Sequence, residues 1–239
     1  ASDVYKRQIG WVVSRPARLR DGLLDGWGAR NRKKVARAGG SAALPGSQYA
    51  AFKGQGGGGR KETAAMVGAI AKEQGIDPGT LVAMGLVESG LNPSAKAKKG
   101  TAKGLFQFID STWSEMMNKH GKKLGIPSDA KATDPVASTL LAVEFLRGNA
   151  RALAGKAGVP KKLGARDYYA AHFFGAGGAA KFYKEMQKNP NAKAKDIFPK
   201  PAKANKNVFY SGSGAARSLR DVYDSFGRKL SKYGAGVGA

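Results

Sequence analysis

From Lys61 to Gln187, apolar residues recur every three or four positions and almost nowhere alternate with polar ones, which is the period of helices rather than strands. Residues 62–74 predict an amphipathic helix with Met66, Val67 and Ile70 on one side, stopped by Gly75. Asp77-Pro78 starts the next helix, the aspartate as N-cap and the proline in the first turn. That helix carries Leu81, Val82, Met84, Leu86 and Val87 and ends near Glu88-Ser89-Gly90, with Asn92-Pro93 beyond it. A basic loop, 94–103, follows, and Asp110 or Ser111 then caps a helix bearing Trp113, Met116 and Met117. Asp134-Pro135 opens what should be the longest helix, to about residue 152. Residues 166–174 form another, a glycine turn over 175–178 interrupts it, and a last helix of this block runs to about residue 187. The fold class is therefore all-α, with a packed block over 61–187.

Outside that block the pattern weakens. Residues 1–60 mix Arg and Lys with glycine, leave room for short helices near 17–26 and 29–38, and close on a flexible glycine run, 54–59. Ser2 to Gln8 resembles a translated sequencing adapter. The opening residues hold no apolar h-region, so no secretory signal peptide is expected. Residues 188–206, rich in Lys, Pro, Ala and Asn, read as an extended linker. A final amphipathic helix, 215–233, carries the stripe Leu219, Val222, Tyr223, Phe226 and Leu230. The expected organisation is a basic, Gly-rich extension over 1–60, a globular domain over 61–187, and a linker with a C-terminal helix over 188–239.

Composition narrows the chemistry. There is no cysteine and there are two histidines, His120 and His172, which excludes disulfide scaffolds, zinc ribbons and thiol catalysis and leaves no expectation of a metal or other cofactor. No apolar run approaches the roughly 18 residues of a membrane span. Lys and Arg total 41 against 17 Asp and Glu, a net charge of +24. The excess is +9 over residues 1–60, +7 over 61–186 and +8 over 187–239, so the flanks carry most of it. Such charge calls for a polyanionic neighbour: nucleic acid, anionic lipid or an anionic cell-wall polymer.

Glu88 is the first candidate for chemistry. It ends the apolar helix LVAMGLVE, where both the helix C-terminus and apolar neighbours disfavour a charged carboxylate, the setting a general acid needs. An exposed helix-end glutamate without a role fits that position as well. Gly104-Leu105-Phe106-Gln107-Phe108 is the second candidate. Aromatic faces can stack on sugar rings and an amide can donate and accept, although a buried turn has the same sequence. Gly-rich matches to dinucleotide motifs, at 54–59 and 175–180, follow no strand and are set aside.

Taken together, Glu88-Ser89, Gly104-Leu105-Phe106-Gln107-Phe108 and Ala171-His172-Phe173-Phe174-Gly175, in that order, resemble the three signature motifs of the soluble lytic transglycosylases. The stretch GIDPGTLVAMGLVESGLNPSA resembles them too, and the likeness covers about half of the chain. The resemblance implies a lysozyme-like domain that cleaves peptidoglycan glycan strands with one acid, Glu88, and without a cofactor. Ser89 and Gln107 would orient the acid or the substrate. Phe106, Tyr168, Tyr169 and His172 are further substrate-binding candidates, with Phe106 and Phe108 fitting a core more readily than a cleft. The family's third motif has Tyr-Asn where His172-Phe173 stand here, so those two roles do not carry over. The variant AAHFFGAGG and the C-terminal FYSGSGAARSLRDVYDSFGRKL resemble bacteriophage virion-associated members. That likeness implies a particle-borne enzyme that opens the wall for genome entry, the alternative location being an exported bacterial protein. Two rival functions are a goose-type lysozyme that hydrolyses, with Asp110 or Glu115 as second acid, and a DNA-contacting virion protein with a passive domain.

Overall fold

The computed structural model describes residues 48–98 and 100–235. The helices expected near 17–26 and 29–38 lie outside the described residues. The chain divides into two compact units, 48–144 and 145–235 among the described residues, with the boundary inside one long helix. Among the described residues extended pairing is limited to isolated bridges, and the fold is all-α.

The first unit contains α1 (Gln48–Phe52), α2 (Arg60–Glu73), α3 (Pro78–Ser89), α4 (Asp110–Met116), a π-helical turn (Met117–Gly121), α5 (Lys122–Leu124) and the start of α6 (Pro135–Leu153). α2 packs on α3. Ile76 in the joining turn is buried and its N–H donates to the Ala71 carbonyl at 2.8 Å. Asp77 caps α3, accepting from the Thr80 N–H at 2.7 Å and the Thr80 hydroxyl at 2.8 Å. Met66, Val67, Ile70, Leu81, Met84, Leu86 and Val87 fill the interface, each burial stabilising by about 1.5–3 kcal/mol.

Asp134 performs the same task for α6. Its Oδ1 accepts from the N–H groups of Val136 and Ala137, both at 2.9 Å, and its Oδ2 accepts from the Tyr49 hydroxyl at 2.6 Å. That bond ties α1 to the start of α6, and with lesser help from burial it pushes the Tyr49 phenol up to about 12.

Two expectations for this unit are corrected. The glycine run over 54–59 is not a free linker: Gly56 is buried and its carbonyl accepts from the Thr63 hydroxyl at 2.8 Å. Asp110 does not cap α4. Ile109 occupies the cap position, and Asp110, the first helical residue, accepts from Lys103 Nζ at 2.9 Å in an exposed pair.

The second unit holds the rest of α6, then α7 (Ala165–Lys188), α8 (Ala194–Ile197), α9 (Pro199–Ala204), α10 (Lys206–Phe209) and α11 (Leu219–Ser231). α7 exceeds α6 in length, and its glycine turn reduces to one non-helical residue, Gly175, at φ 70° and ψ 162°. The break lets one helix change direction without a loop, since a side chain at that φ is strained. The segment 188–206 is not an extended linker. Ala194, Phe198, Pro201, Ala202 and Asn205 are buried at three- and four-residue spacing, followed by Val208 and Phe209. The N–H of Ala194 donates to Arg217 and that of Leu219 to Ala192, so the segment is stitched to the chain entering α11. Ser218 caps α11 in a reciprocal box with Asp221. All five residues of its apolar stripe are buried. Phe174, Phe182, Phe198, Phe209 and Phe226 form the aromatic centre, with Phe174 4.7 Å from Phe198 and 5.0 Å from Phe182 between ring centroids.

Among the described residues, no helix is long and apolar enough to cross a membrane.

Candidate active site

The site grows from the end of α3. Seven of its residues from Leu81 to Val87 are buried, so the helix is core on every side until its last turn, where Glu88 and Ser89 emerge half-buried. The chain reverses sharply there. Gly90 closes the helix, and Leu91, at φ 58° and buried, donates its N–H to the Gly85 carbonyl at 3.2 Å. A left-handed leucine is strained, which fits a segment whose conformation the packing around it dictates.

The Ser89 hydroxyl donates to the Leu105 carbonyl at 2.9 Å and approaches that of Gly85 at 3.2 Å. The residue following Glu88 therefore ties the end of α3 to the turn over 104–108. That turn is the root of a small tongue. Ala97 N–H donates to Ala102, Gly104 N–H to Ala95, and Lys103 N–H to Phe108, all at 2.9–3.0 Å. Lys96 and Lys98 are exposed on the tongue.

Gly104 fixes how close the turn can come. At φ 80°, a Cβ on it would lie 1.8 Å from the Ala132 carbonyl oxygen. Gln107 is only 7 % exposed and adopts φ 49°. Its Nε2 donates to the Gly104 carbonyl at 2.9 Å and the Ala95 carbonyl at 3.3 Å. Two carbonyl partners require the nitrogen on that side, so the amide oxygen is left as the accepting end. Phe106, a substrate-binding candidate whose sequence setting fits a core more readily, is core and offers no sugar-stacking face: it is 3 % exposed, and its ring lies beside Gly85 of α3. Phe108 is also buried and meets Trp113 edge-on at 5.7 Å.

Tyr168, Tyr169 and His172 belong to the second unit, on α7. Tyr168 is half-buried, and burial, then the charge of Asp167, raise its phenol above the ordinary value against the opposing pull of Arg147. Tyr169 is 2 % exposed, so its ring is core, and its hydroxyl accepts from Lys229 Nζ at 2.8 Å. His172 is half-buried, flanked at 6.1 Å by both the Tyr169 and Phe145 rings. The structure thus gathers Glu88, Ser89, Phe106 and Gln107 in one unit and Tyr168, Tyr169 and His172 in the other. Lys229 was missed by sequence reasoning, because nothing local in a helix that also carries Arg220 and Arg228 marks which cation turns inward.

A glutamate at the end of a buried helix, bonded through its neighbour to a Gly-Leu-Phe-Gln-Phe turn in an all-α fold, defines a lysozyme-like glycan-cleaving domain. The chain belongs to the transglycosylase SLT domain family, whose model matches residues 65–198. Members of that family are peptidoglycan lytic transglycosylases, and this protein is an enzyme of that kind acting on peptidoglycan.

Proposed function

We propose that Glu88 alone carries the acid and base steps, at the bond between N-acetylmuramic acid and N-acetylglucosamine. Its carboxyl protonates the glycosidic oxygen while the muramic 2-acetamido group assists at the anomeric carbon. The resulting carboxylate then takes the proton from the muramic 6-hydroxyl, which attacks internally and leaves a 1,6-anhydro product. No water is consumed, and the attacking group is already tethered to the reacting carbon, which supplies a large effective concentration. The observation that carries this reading is the Ser89–Leu105 bond, which holds the Glu88 helix end against the turn bearing Gln107. Gln107, with its nitrogen already engaged by two carbonyls, offers its oxygen to a substrate N–H such as the acetamido group. Asp110 is engaged with Lys103, which favours a single acid over a paired hydrolytic mechanism.

Digestion of purified peptidoglycan, with the muropeptides read by mass, tests the mechanism. The wild type should release anhydro fragments, each one water lighter than a hydrolysis product. Glu88→Gln should lose at least about a thousandfold in rate, on the scale of a removed essential acid. Fragments of hydrolytic mass, or an active Glu88→Gln, would overturn it.

The same reading places the enzyme in a phage particle, where it opens the wall for genome entry, with its basic flanks touching DNA or anionic wall polymers. The likeness of the 168–179 stretch and of the C-terminal segment to virion-associated members supports this, as does the net charge of +24. Detection of the protein, and of wall-degrading activity, in purified particles is the check.

A further inference from the structure

We propose that the tongue over 94–103 selects the substrate by charge, with Lys96 and Lys98 taking the carboxylates of the peptide stem that muramic acid carries. The inference rests on the reading above, in which Gln107 meets the muramic 2-acetamido group.

Between Glu88 and Asp110 the chain holds four lysines and no carboxylate. The tongue is tied down from its root outward, and all of these residues belong to the first unit. At the root, the Ala95 carbonyl accepts from the Gly104 N–H at 2.9 Å and from Gln107 Nε2 at 3.3 Å. Further out, Lys103 forms antiparallel bridges with Lys96 on one side and Phe108 on the other, and the Thr101 hydroxyl accepts from the Asp110 N–H at 3.2 Å. Exposure alternates along the outgoing arm. Ser94, Lys96 and Lys98 are exposed, whereas Ala95 and Ala97 are half-buried. That period of two puts both lysines on one solvent-facing side. Asp110 does not neutralise them, because Lys103 engages it at 2.9 Å.

The chemistry of the substrate supplies the partner. Lys96 directly follows the residue whose carbonyl holds the Gln107 amide. In muramic acid the acetamido group and the lactyl ether occupy adjacent ring carbons. A sugar whose acetamido group meets Gln107 therefore projects its peptide stem beside the root of the tongue. That stem is a short peptide with free carboxylates. Lysine places a compact charge on a long flexible chain, which can follow a mobile anion. An exposed ion pair strengthens binding only severalfold, so two of them tune affinity without being needed for bond cleavage.

Soluble glycan strands with intact stems, freed of other wall polymers, provide the test, beside the same strands with their stem carboxylates converted to primary amides. In the full chain, Lys96→Gln/Lys98→Gln should raise KM on the native strands about fivefold, with the loss falling on KM rather than kcat. Amidation should raise the wild-type KM to the level of the variant, so that the two proteins converge. Added salt should erase the wild-type advantage on native strands. Lys96→Arg/Lys98→Arg, which keeps both charges, should retain the wild-type KM. Equal KM values on native strands, a defect that persists on amidated strands, or a loss confined to kcat would overturn the proposal. Any of these alongside an inactive Glu88→Gln would sink this inference and spare the parent reading. An active Glu88→Gln would sink the parent reading itself.

Discussion

Gly104 is the residue on which the geometry of the site turns most tightly. Its N–H is held by the Ala95 carbonyl, its own carbonyl receives the Gln107 amide, and its α-carbon faces the Ala132 carbonyl with no space for a methyl group. An added Cβ would clash with backbone, which cannot swing aside as the tip of a side chain can. Gly104→Ala combines that clash with a left-handed φ, and should cost about 2–4 kcal/mol of stability. Thermal melting checks this, and a variant that melts within a degree of wild type would contradict it. Peptidoglycan cleavage should fall further than the loss of folded protein explains, because the same shift displaces Leu105, the partner of Ser89. At this scale the sequence exposed the right positions for reasons it could not display. Gly104 and Gln107 stood out as members of a motif, but the Ala95 and Ala132 carbonyls that constrain them are ordinary residues distant in the chain. Ser89 is expected from the sequence to orient the acid or the substrate, and its hydroxyl clasps the opposing turn, a partner that no local pattern displays.

At the level of elements, the joint between α7 and α11 carries the most distinctive electrostatics. Asp167, 4 % exposed, accepts the Gly164 N–H at 2.7 Å through Oδ2, and through Oδ1 the hydroxyls of Tyr183 at 2.6 Å and Tyr223 at 2.5 Å. Arg166 stacks 4.6 Å over the Tyr223 ring and reaches Asp224 at 3.5 Å. Burial first, and the Asp167 carboxylate second, raise both phenols above the ordinary value of 10.0. A raised phenol binds its proton more tightly in the folded state than in the unfolded one. Its contribution to stability is therefore complete below pH 10 and is lost as the pH climbs toward the folded-state values. The melting temperature should hold steady up to about pH 10 and fall beyond it. In the Tyr183→Phe/Tyr223→Phe double variant, stability at neutral pH should drop by about 1–3 kcal/mol for each lost donor, and the alkaline decline should become shallower. Some decline should remain because Tyr49 also titrates high, near 12. Parallel curves for the two proteins would refute the assignment. None of this joint could be seen in the one-dimensional pattern. Periodicity and caps were enough for α2, α3 and α6, whose starts are marked by local residues such as Asp77-Pro78 and Asp134-Pro135. The helices over 194–209 were hidden because lysine, proline and asparagine dominate that stretch, and their composition masks buried Ala194, Phe198 and Phe209 at helical spacing.

For the molecule as a whole, the charge asks which cations are already engaged. Arg217 donates to the Asn207 and Val208 carbonyls, while Arg166, Lys188 and Lys195 each pair with a carboxylate. Lys193, Lys200, Lys203, Lys206, Arg220, Arg228 and Lys232 are exposed within the same C-terminal stretch, which contains three acidic residues. Three of them, Lys200, Lys203 and Lys206, follow one another at three-residue intervals across α9 and the start of α10. A polyanion laid along such a surface releases counterions, so its affinity must fall with salt at a rate set by the number of phosphates neutralised. Binding of duplex DNA to the full chain should weaken by about a thousandfold or more between about 50 and 200 mM salt if six or more phosphates are engaged. Lys200→Gln/Lys203→Gln/Lys206→Gln should reduce the slope of log affinity against log salt by close to three, about 0.9 per lost contact. The same titration with a purified anionic wall glycopolymer separates the two partners, because only the true one should retain affinity in a salt range where the other has dissociated. Wall cleavage by the triple variant on small soluble glycan fragments should stay near wild type, since these lysines lie outside the 88–107 and 168–172 segments. A slope indifferent to the three substitutions would move the polyanion contact off this stretch.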